Sequence, residues 1–578
     1  MSREREILRR IAPPELEQAL PADMHPILRR IYAARGVDIV SLDLSLSSMI
    51  PVGQLDYAAE AAERLALARH EQQRVLVLGD FDADGATAIA LMMTCLRAFG
   101  YRHTHFLVPD RQVYGYGLSK AIVELAAKHQ PDLIVTVDNG ISSLDGVDEA
   151  NRLGIDVLVT DHHLPGETLP DAAVIVNPNA PGNGFPSKML AGVGVAFYVM
   201  AALGQRLAAD SLIDEAYARR VCTDCLDLVA LGTVADLVPL DHNNRVLVAQ
   251  GMARIRAGIS RPGIKALFAV AGRNIGDAAT SDLGFAIAPR LNAAGRLTDM
   301  TVGVNCLLAD NDATAMTLAE ELSQLNQQRQ ELQTQMQLTA ELQLDRVEEE
   351  LGTQVREAVC LFDPDWHQGV VGLVATRIRE RVNRPVIAFA PAANESNLKG
   401  SGRSVPGVHL RDVLAAVDTK HPNLLGNYGG HAMAAGLNLK KAHLDAFRQA
   451  FIAEVALHAD QIEDIERLWS DGELSPADLN LSMAETLRHA APWGQGFPEP
   501  AFDGRFELVD QRIVGERHLK LRVRPLGGTQ AVDGIAFNHP DLLPTISGQQ
   551  FTLVYRLDVN EFRATRRHQL VVQHIECV

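Results

Sequence analysis

The chain has 578 residues, 47% of them hydrophobic, with a mean hydropathy near zero and a formal charge of −18 at pH 7. That length exceeds what one core can hold and calls for two to four domains. So acidic a chain is excluded from coating nucleic acid by bulk attraction, which depends on Lys and Arg, and no stretch approaches the roughly 20 uninterrupted apolar residues of a membrane span.

Residues 1–46 read as a peripheral helical extension. They begin Met1-Ser2-Arg3-Glu4-Arg5-Glu6-Ile7-Leu8-Arg9-Arg10, whose alternating charge lacks the apolar centre of a signal peptide. A cytoplasmic protein with no membrane contact is therefore expected. From Val75 to Asn177, strands and helices alternate in short units, the signature of a parallel α/β sheet. The runs Val75–Leu78, Leu133–Val137 and Val157–Val159 are apolar but for Thr136 and read as buried strands, with Thr104–Val108 and Ala173–Val176 as further ones.

Each of the three buried runs ends in an acidic cluster, the first two flanked by glycine. These are Gly79-Asp80-Phe81-Asp82-Ala83-Asp84-Gly85, Val137-Asp138-Asn139-Gly140 and Thr160-Asp161-His162-His163. Parallel sheets bind ligands at the carboxyl ends of their strands, so the clusters are expected at one rim. Carboxylates that crowded repel one another unless cations sit among them, and hard divalent ions favour carboxylate oxygens with an imidazole. Plain helix N-caps would account for one or two clusters. They would not account for Asp80, Asp82 and Asp84 at period two, which an extended segment turns to one face or splays around the turn opened by Gly85.

A more helical section follows. Cys222-Thr223-Asp224-Cys225 lies there on an apolar helix and reads as buried structural thiols, and six cysteines in all are too few for a disulfide framework. Asp310 to Leu351 contains no Pro or Gly, and Leu318, Leu322, Leu325, Leu332 and Met336 recur at three- and four-residue steps up to Gly352. The spacing predicts one helix on the order of 60 Å long, a strut between domains rather than a coiled-coil seam. Beyond it, Ala358–Phe362 and Pro385–Ala390 are strands of a second α/β unit. From about residue 467 short alternating segments suit a small barrel. Among them His518-Leu519-Lys520-Leu521-Arg522-Val523-Arg524 would bury its apolar residues and present Lys520, Arg522 and Arg524 on one face. Residues 501–578 hold ten Lys/Arg against nine Asp/Glu, a balance of +1 that leaves −19 for the rest. Arg563, Arg566 and Arg567 offer a second small basic cluster.

The three acidic clusters, followed by Gly232-Thr233-Val234-Ala235-Asp236-Leu237-Val238-Pro239-Leu240, resemble the four motifs of the DHH phosphoesterase superfamily. Downstream, Trp366-His367-Gln368-Gly369-Val370-Val371-Gly372, Gly400-Ser401-Gly402-Arg403-Ser404 and Gly429-Gly430-His431-Ala432-Met433-Ala434-Ala435-Gly436 resemble its companion domain, DHHA1. Their order and the chain length are similar to the superfamily's single-strand-specific DNA exonucleases. The resemblance implies an N-terminal helical extension over 1–46 and a parallel-sheet DHH catalytic domain over 47–309. A connecting helix over 310–352, a DHHA1 domain over 353–462 and an oligonucleotide-binding (OB-like) barrel over 467–578 complete the expected α/β architecture.

It further implies a 5′→3′ exonuclease that releases 5′ mononucleotides by hydrolysis with two divalent ions, Mn2+ or Mg2+, in DNA recombination and repair. Asp82, Asp84, Asp138, His162 and Asp236 are assigned to the metals, with Asp138 the bridge. Asp80 ligates a metal or supports a ligand, His163 contacts the scissile phosphate or moves a proton, and Asp161 orients an imidazole. Guanidinium forks and small hydroxyls suit a terminal phosphate. Arg111, Arg290, Ser401 and Arg403, read as lying in loops or beside strands, are given that role, with Asn292 among the substrate contacts. Tyr114 and Tyr116 are candidates to stack on bases, and His431 to approach a sugar-phosphate. Single-stranded DNA is the expected partner of a monomer, with a single-strand-binding protein and a helicase as further ones. Two alternatives stay open: a phosphodiesterase of short oligonucleotides or cyclic dinucleotides, and a noncatalytic DNA-binding scaffold.

Overall fold

The computed structural model describes residues 5–577 apart from 352–356, 393–395, 463–464, 516, 540–542, 544–549 and 563–564. The chain opens on a strand rather than a helix: β1 (Arg5–Arg9) pairs in parallel with Glu466–Ser470 near the other end of the chain. Helices Pro14–Ala19 and Pro26–Ala34 follow, and Leu20, Ile27 and Ile31 are buried in the main core. The extension is helical in part, as expected, but its strand and its buried side chains tie it into the fold, so it is not peripheral. Its partner strand lies some 460 residues away, where local sequence gives no sign of it.

The first sheet is built from β2 (Val75–Gly79), β3 (Thr104–Leu107), β4 (Leu133–Val137), β5 (Asp156–Thr160) and β6 (Val174–Val176). All pairings are parallel, in the order β3-β2-β4-β5-β6. Every residue of β2 and β4 is buried, which is why they read as unbroken apolar runs. The order reverses at β2, so the loops leaving β2 and β4 diverge and open a crevice at the carboxyl edge. Helix Gly192–Ala209 is long and apolar enough to cross a membrane by length and composition, but 72% of that window is buried within the fold. Cys222 and Cys225 are buried, as expected.

The strut is a single helix, Asp312–Leu351, of 40 residues; Gly352, expected to stop it, lies outside the described residues. Ala315, Ala319 and Leu322 on its first half belong to the main core. Met336, Ala340 and Leu344 on its second half belong to a separate cluster with Val359, Val371, Val374 and Ile378. One helix thus carries two apolar stripes at helical spacing, each buried in a different body.

The second body contains β7 (Val359–Phe362), β8 (Val386–Pro391), β9 (Asn397–Arg403), β10 (Leu425–Gly430) and β11 (Ala434–Lys440), in the order β10-β11-β9-β8-β7. Ser401 and Arg403 therefore lie on strand β9, not in the glycine-rich loop expected. Leu398, Gly400 and Gly402 face inward. A Cβ on Gly400 would stand 2.5 Å from the Phe389 ring and one on Gly402 2.7 Å from Leu410. Glycine here is the price of tight packing, and the alternation puts Lys399, Ser401 and Arg403 on the opposite face.

After β12 (Glu466–Ser470), the strands β13 (Phe502–Val514), β14 (His518–Pro525), β15 (Val532–Ala536), β16 (Gln550–Phe562) and β17 (Thr565–Cys577) close a barrel in the order β13-β14-β15-β17-β16. On β14, Leu519, Leu521 and Val523 are buried as the alternation requires. Lys520 lies 3.9 Å from Asp533 and Arg524 3.3 Å from Glu507, so two of the three cations have carboxylate neighbours. The barrel docks on the catalytic body through Arg488, which reaches Asp282 at 3.0 Å and Asp558 at 3.1 Å. Arg566 joins Asp277 at 3.0 Å and Glu485 at 3.2 Å. Arg566 is thus a docking residue rather than part of a free basic cluster, and Arg563 lies outside the described residues.

Candidate metal centre and substrate cleft

The loops leaving β2, β4 and β5 do meet at one rim, and the end of helix Leu226–Ala235 brings Asp236 to it. Three overlapping groups have ligand atoms all within 4.8 Å of one another: Asp80, Asp82 and Asp138; Asp84, His162 and Asp236; and Asp138, His162 and His163. Asp138 belongs to two of them. It holds a left-handed backbone, φ 60°, which a non-glycine residue adopts only where its surroundings impose it. Those surroundings are close: a Cβ on Gly192 would stand 2.6 Å from that of Asp138.

The donor set suits divalent cations on more than its composition. Asp138 Oδ1 and His162 Nε2 are 3.1 Å apart and buried, yet neither has a hydrogen-bond partner among the described residues. Idle buried polar atoms are costly unless something charged or polar comes between them. Burial, followed by the neighbouring carboxylates, holds Asp80, Asp138 and Asp236 well above the usual carboxylate range and Asp84 up to about 7. Burial also pushes His162 down to about 4, which keeps its imidazole neutral, the form that ligates metal. Four acids that resist ionisation beside a neutral imidazole form a site that a dication would relax.

Several of these groups carry a structural task as well. Asp82 caps helix Ala83–Ala98, its Oδ1 accepting from the amides of Asp84 (2.9 Å) and Gly85 (3.0 Å), so the capping and ligand readings of this motif coincide. Asp84 accepts from the amides of Gly192 at 2.6 Å and Val193 at 3.0 Å, at the start of the buried helix. Asp161 is enclosed and fully engaged. It accepts from the amides of Ile141 (2.9 Å), His162 (2.7 Å) and His163 (3.1 Å), and lies 2.7 Å from His163 Nδ1. It can orient His163 but cannot itself touch a substrate. Burial opposes the charge of both partners, yet their hydrogen bond leaves Asp161 below and His163 above its ordinary value.

The aromatic assignments separate. Tyr114 closes the short helix Arg111–Tyr114 and packs, half-buried, against the cluster of Leu76, Leu118 and Ile134. The Tyr116 hydroxyl instead lies 3.0 Å from His163 Nδ1 and donates to the Asp138 carbonyl at 3.2 Å. Asn292 acts on the protein first: its Oδ1 accepts from the Ala83 amide at 2.8 Å and fixes the loop of Asp80 and Asp82.

Across the cleft the guanidinium groups gather. Arg111 lies over the Phe81 ring at 4.6 Å. Burial and then Arg111 and Arg379 lower Arg403, whose Nη1 is 3.2 Å from Ser401 Oγ. The fourth member is not Arg290. That side chain donates to the Ala286 carbonyl and to Ser323 at 3.3 Å, and Arg273 is the charge that acts on it. Six residues along helix Ala288–Leu297, about 120° around its axis, Arg296 joins the cluster instead. Burial and then Arg111, Arg329 and Arg403 push Arg296 down to about 10. Arg296 went unnoticed in sequence because its arrival depends on Gly369, where a Cβ would stand 2.1 Å from the Arg296 carbonyl. The available signal was its four-residue spacing from Asn292. His431, at the β10–β11 turn, is exposed; burial and then His163 lower it, which sets it opposite the metal loops. Lys520, Arg522 and Arg524 are on the barrel, outside this cleft.

Residues 74–233 match the DHH family N-terminal domain, 353–457 the DHHA1 domain and 470–574 the RecJ OB domain. The chain is 52% identical over 567 residues to the single-stranded-DNA-specific exonuclease RecJ of Dickeya dadantii, covering 97% of this chain and 98% of that one. It is likewise 52% identical over 562 residues to RecJ of Escherichia coli, covering 96% of each. The crystal structure of RecJ in complex with Mn2+ from Thermus thermophilus superposes with a TM-score of 0.79 at 30% identity, over 99% of this chain and 80% of that one.

Proposed function

From the premise that this chain belongs to the RecJ family of single-stranded-DNA-specific exonucleases, we propose that it degrades single-stranded DNA from a 5′ end, releasing 5′ mononucleotides. It is a metal-dependent hydrolase. The observation that carries the reading is the juxtaposition of the acidic centre, with its idle Asp138 and His162 atoms, and the guanidinium cluster of Arg111, Arg296 and Arg403 across one cleft.

Asp80, Asp82, Asp84, Asp138, His162 and Asp236 would hold two divalent cations, Mn2+ or Mg2+, which supply charge stabilisation to both the attacking and the leaving oxygen of an in-line phosphodiester displacement. The protein's own residues do the rest. Arg403, Ser401, Arg296 and Arg111 hold the terminal 5′ phosphate, and so fix the first internucleotide bond over the acidic centre. His163, held by Asp161, which favours its protonated form, and steadied by Tyr116, faces the scissile phosphate and can pass a proton to the departing oxygen. His431 closes the cleft from the other body. Lys520, Arg522 and Arg524 engage phosphates farther along. The division into parts at 1–46, 47–309, 310–352, 353–462 and 467–578 belongs to the same reading, as do a monomeric state, cytoplasmic location, action in recombination and repair, and cooperation with a single-strand-binding protein and a helicase.

The test is release of mononucleotides with Mn2+ from a 5′-phosphorylated long single strand, a strand blocked at its 5′ end, a duplex and a dinucleotide. Degradation of the first, with the blocked strand and the duplex spared and Asp138→Ala inactive though folded, is expected. Exclusive cleavage of the dinucleotide would establish the small-substrate alternative instead.

A further inference from the structure

Among the described residues Phe285 is the most exposed aromatic, at 82%. A lone exposed ring is ordinary on a protein surface; its position is not. Phe285 sits within a π-helical turn, Leu283–Ile287, whose ends, Leu283 and Ile287, are both fully buried. The wider turn rolls the ring outward, and such turns recur at functional sites. A Cβ on the adjacent Gly284 would stand 3.4 Å from Val234, so the turn leans on the helix that delivers Asp236 to the metal centre. The residue after Asp236 is Leu237, held at φ 58° and 67% exposed. The exposed Leu237 thus follows Asp236 directly, and the turn that carries Phe285 packs against Val234, two residues before it.

Helix Ala288–Leu297 sets a direction through the cleft. Arg296 near its C-terminal end lies in the guanidinium cluster. Asn292, one turn back, holds the Ala83 amide of the metal loop. Phe285 lies seven residues before Asn292, about 10 Å farther along the axis. Arg273 lies 3.6 Å from Asp282, three residues before the ring, and acts on Arg290, five residues after it, so the segment that carries the ring is cationic. Beyond Phe285 the chain reaches Asp282 and Thr280, which contact Arg488 and the Trp493 carbonyl on the way to the barrel. The order is phosphate cluster, metal centre, exposed ring, barrel.

We propose that Phe285, exposed on this cationic segment, is a base-stacking platform for the nucleotides on the 3′ side of the scissile bond. It receives the strand as it leaves the metal centre and directs it toward the barrel. An exposed ring on a cationic segment serves single strands of any sequence, because every base offers a stacking face while the cations follow the phosphates. The proposal rests on single-stranded DNA as substrate and on the 5′ end lying at Arg403.

The experiment is steady-state hydrolysis by the full-length protein with Mn2+, using a 5′-phosphorylated dinucleotide and a long 5′-phosphorylated strand. Phe285→Ala is expected to raise KM for the long strand by roughly tenfold, the order of one lost base–aromatic stack. Its kcat and its cleavage of the dinucleotide should equal the native values. Phe285→Trp should restore the native KM, whereas Phe285→Leu, apolar but not aromatic, should not. An unchanged KM in Phe285→Ala, an equal loss on the dinucleotide, or full restoration by Leu would each overturn the platform. A native protein that degrades the dinucleotide but no long strand would overturn the platform and the exonuclease reading together. Normal degradation by Phe285→Ala overturns only the platform.

Discussion

At the scale of single residues the site is an arrangement of charges that oppose one another in the absence of cations. Asp80, Asp84 and Asp138 are buried and Asp236 half-buried beside them, and their ionised forms repel. Replacing Asp138 with Asn removes one such charge and keeps the shape. Metal-free Asp138→Asn should therefore melt higher than the metal-free native protein. Mn2+ should raise the native melting temperature, by about 2.7 kcal/mol of stability at a concentration 100 times Kd, and leave the variant nearly unaffected. Differential scanning calorimetry with and without chelator decides this; an equal response to Mn2+ in both proteins would remove Asp138 from the metal site. The guanidinium groups make a second residue-level test. Arg296→Ala and Arg403→Ala should each erase the preference for a 5′-phosphorylated over a 5′-hydroxyl end, measured as a ratio of kcat/KM, while Arg290→Ala should keep it. Loss of preference in Arg290→Ala would show that the assignment read from sequence was the better one.

At the scale of elements, two are decisive because each presents different faces to different tasks. Strand β14 buries Leu519, Leu521 and Val523 and turns Lys520, Arg522 and Arg524 outward. Replacing the three cations with Ala should weaken binding of long single strands and flatten its salt dependence, since each lost phosphate contact lowers the log-log slope by about 0.7. Fluorescence anisotropy across a salt series measures this, and an equal loss on a dinucleotide would mean that the strand supports folding instead. Lys520 and Arg524 have carboxylate neighbours, so Arg522 should contribute the largest share. The strut helix works likewise: Leu322 belongs to one core and Leu344 to another, so its two halves hold two bodies at a fixed separation.

At the scale of the whole molecule, the main core runs without a break from Leu20 in the first helices through Val77 in the sheet to Leu570 in the barrel, while the DHHA1 body has its own cores. The barrel is therefore seated on the catalytic body rather than tethered. Arg488 is central to that seat, with a side chain only 16% exposed between Asp282 and Asp558. Arg488→Ala should cost about 3 kcal/mol, because it strands a buried acid. Thermal unfolding should then separate into two transitions as the barrel loosens, and a single transition at the native temperature would show the docking to be held by apolar contacts alone.

Local periodicity and short spacing were enough to read one share of the fold and the site from the order of residues. Unbroken apolar runs gave β2, β4 and β5, their acidic ends gave Asp80 to Asp84, Asp138 and His162, and the Pro- and Gly-free run gave the strut. These follow from nearest neighbours, which the chain carries in order. Only the tertiary structure decided what depends on partners distant in sequence. It paired Arg5–Arg9 with Glu466–Ser470, and it made strand β9 from a glycine-rich segment because Phe389 and Leu410 leave no room for a side chain. It also brought Arg296 to Arg111 and Arg403, and Tyr116 to His163. A residue's type states the chemistry it can perform; the direction in which it points is set by packing across hundreds of residues, which periodicity does not encode.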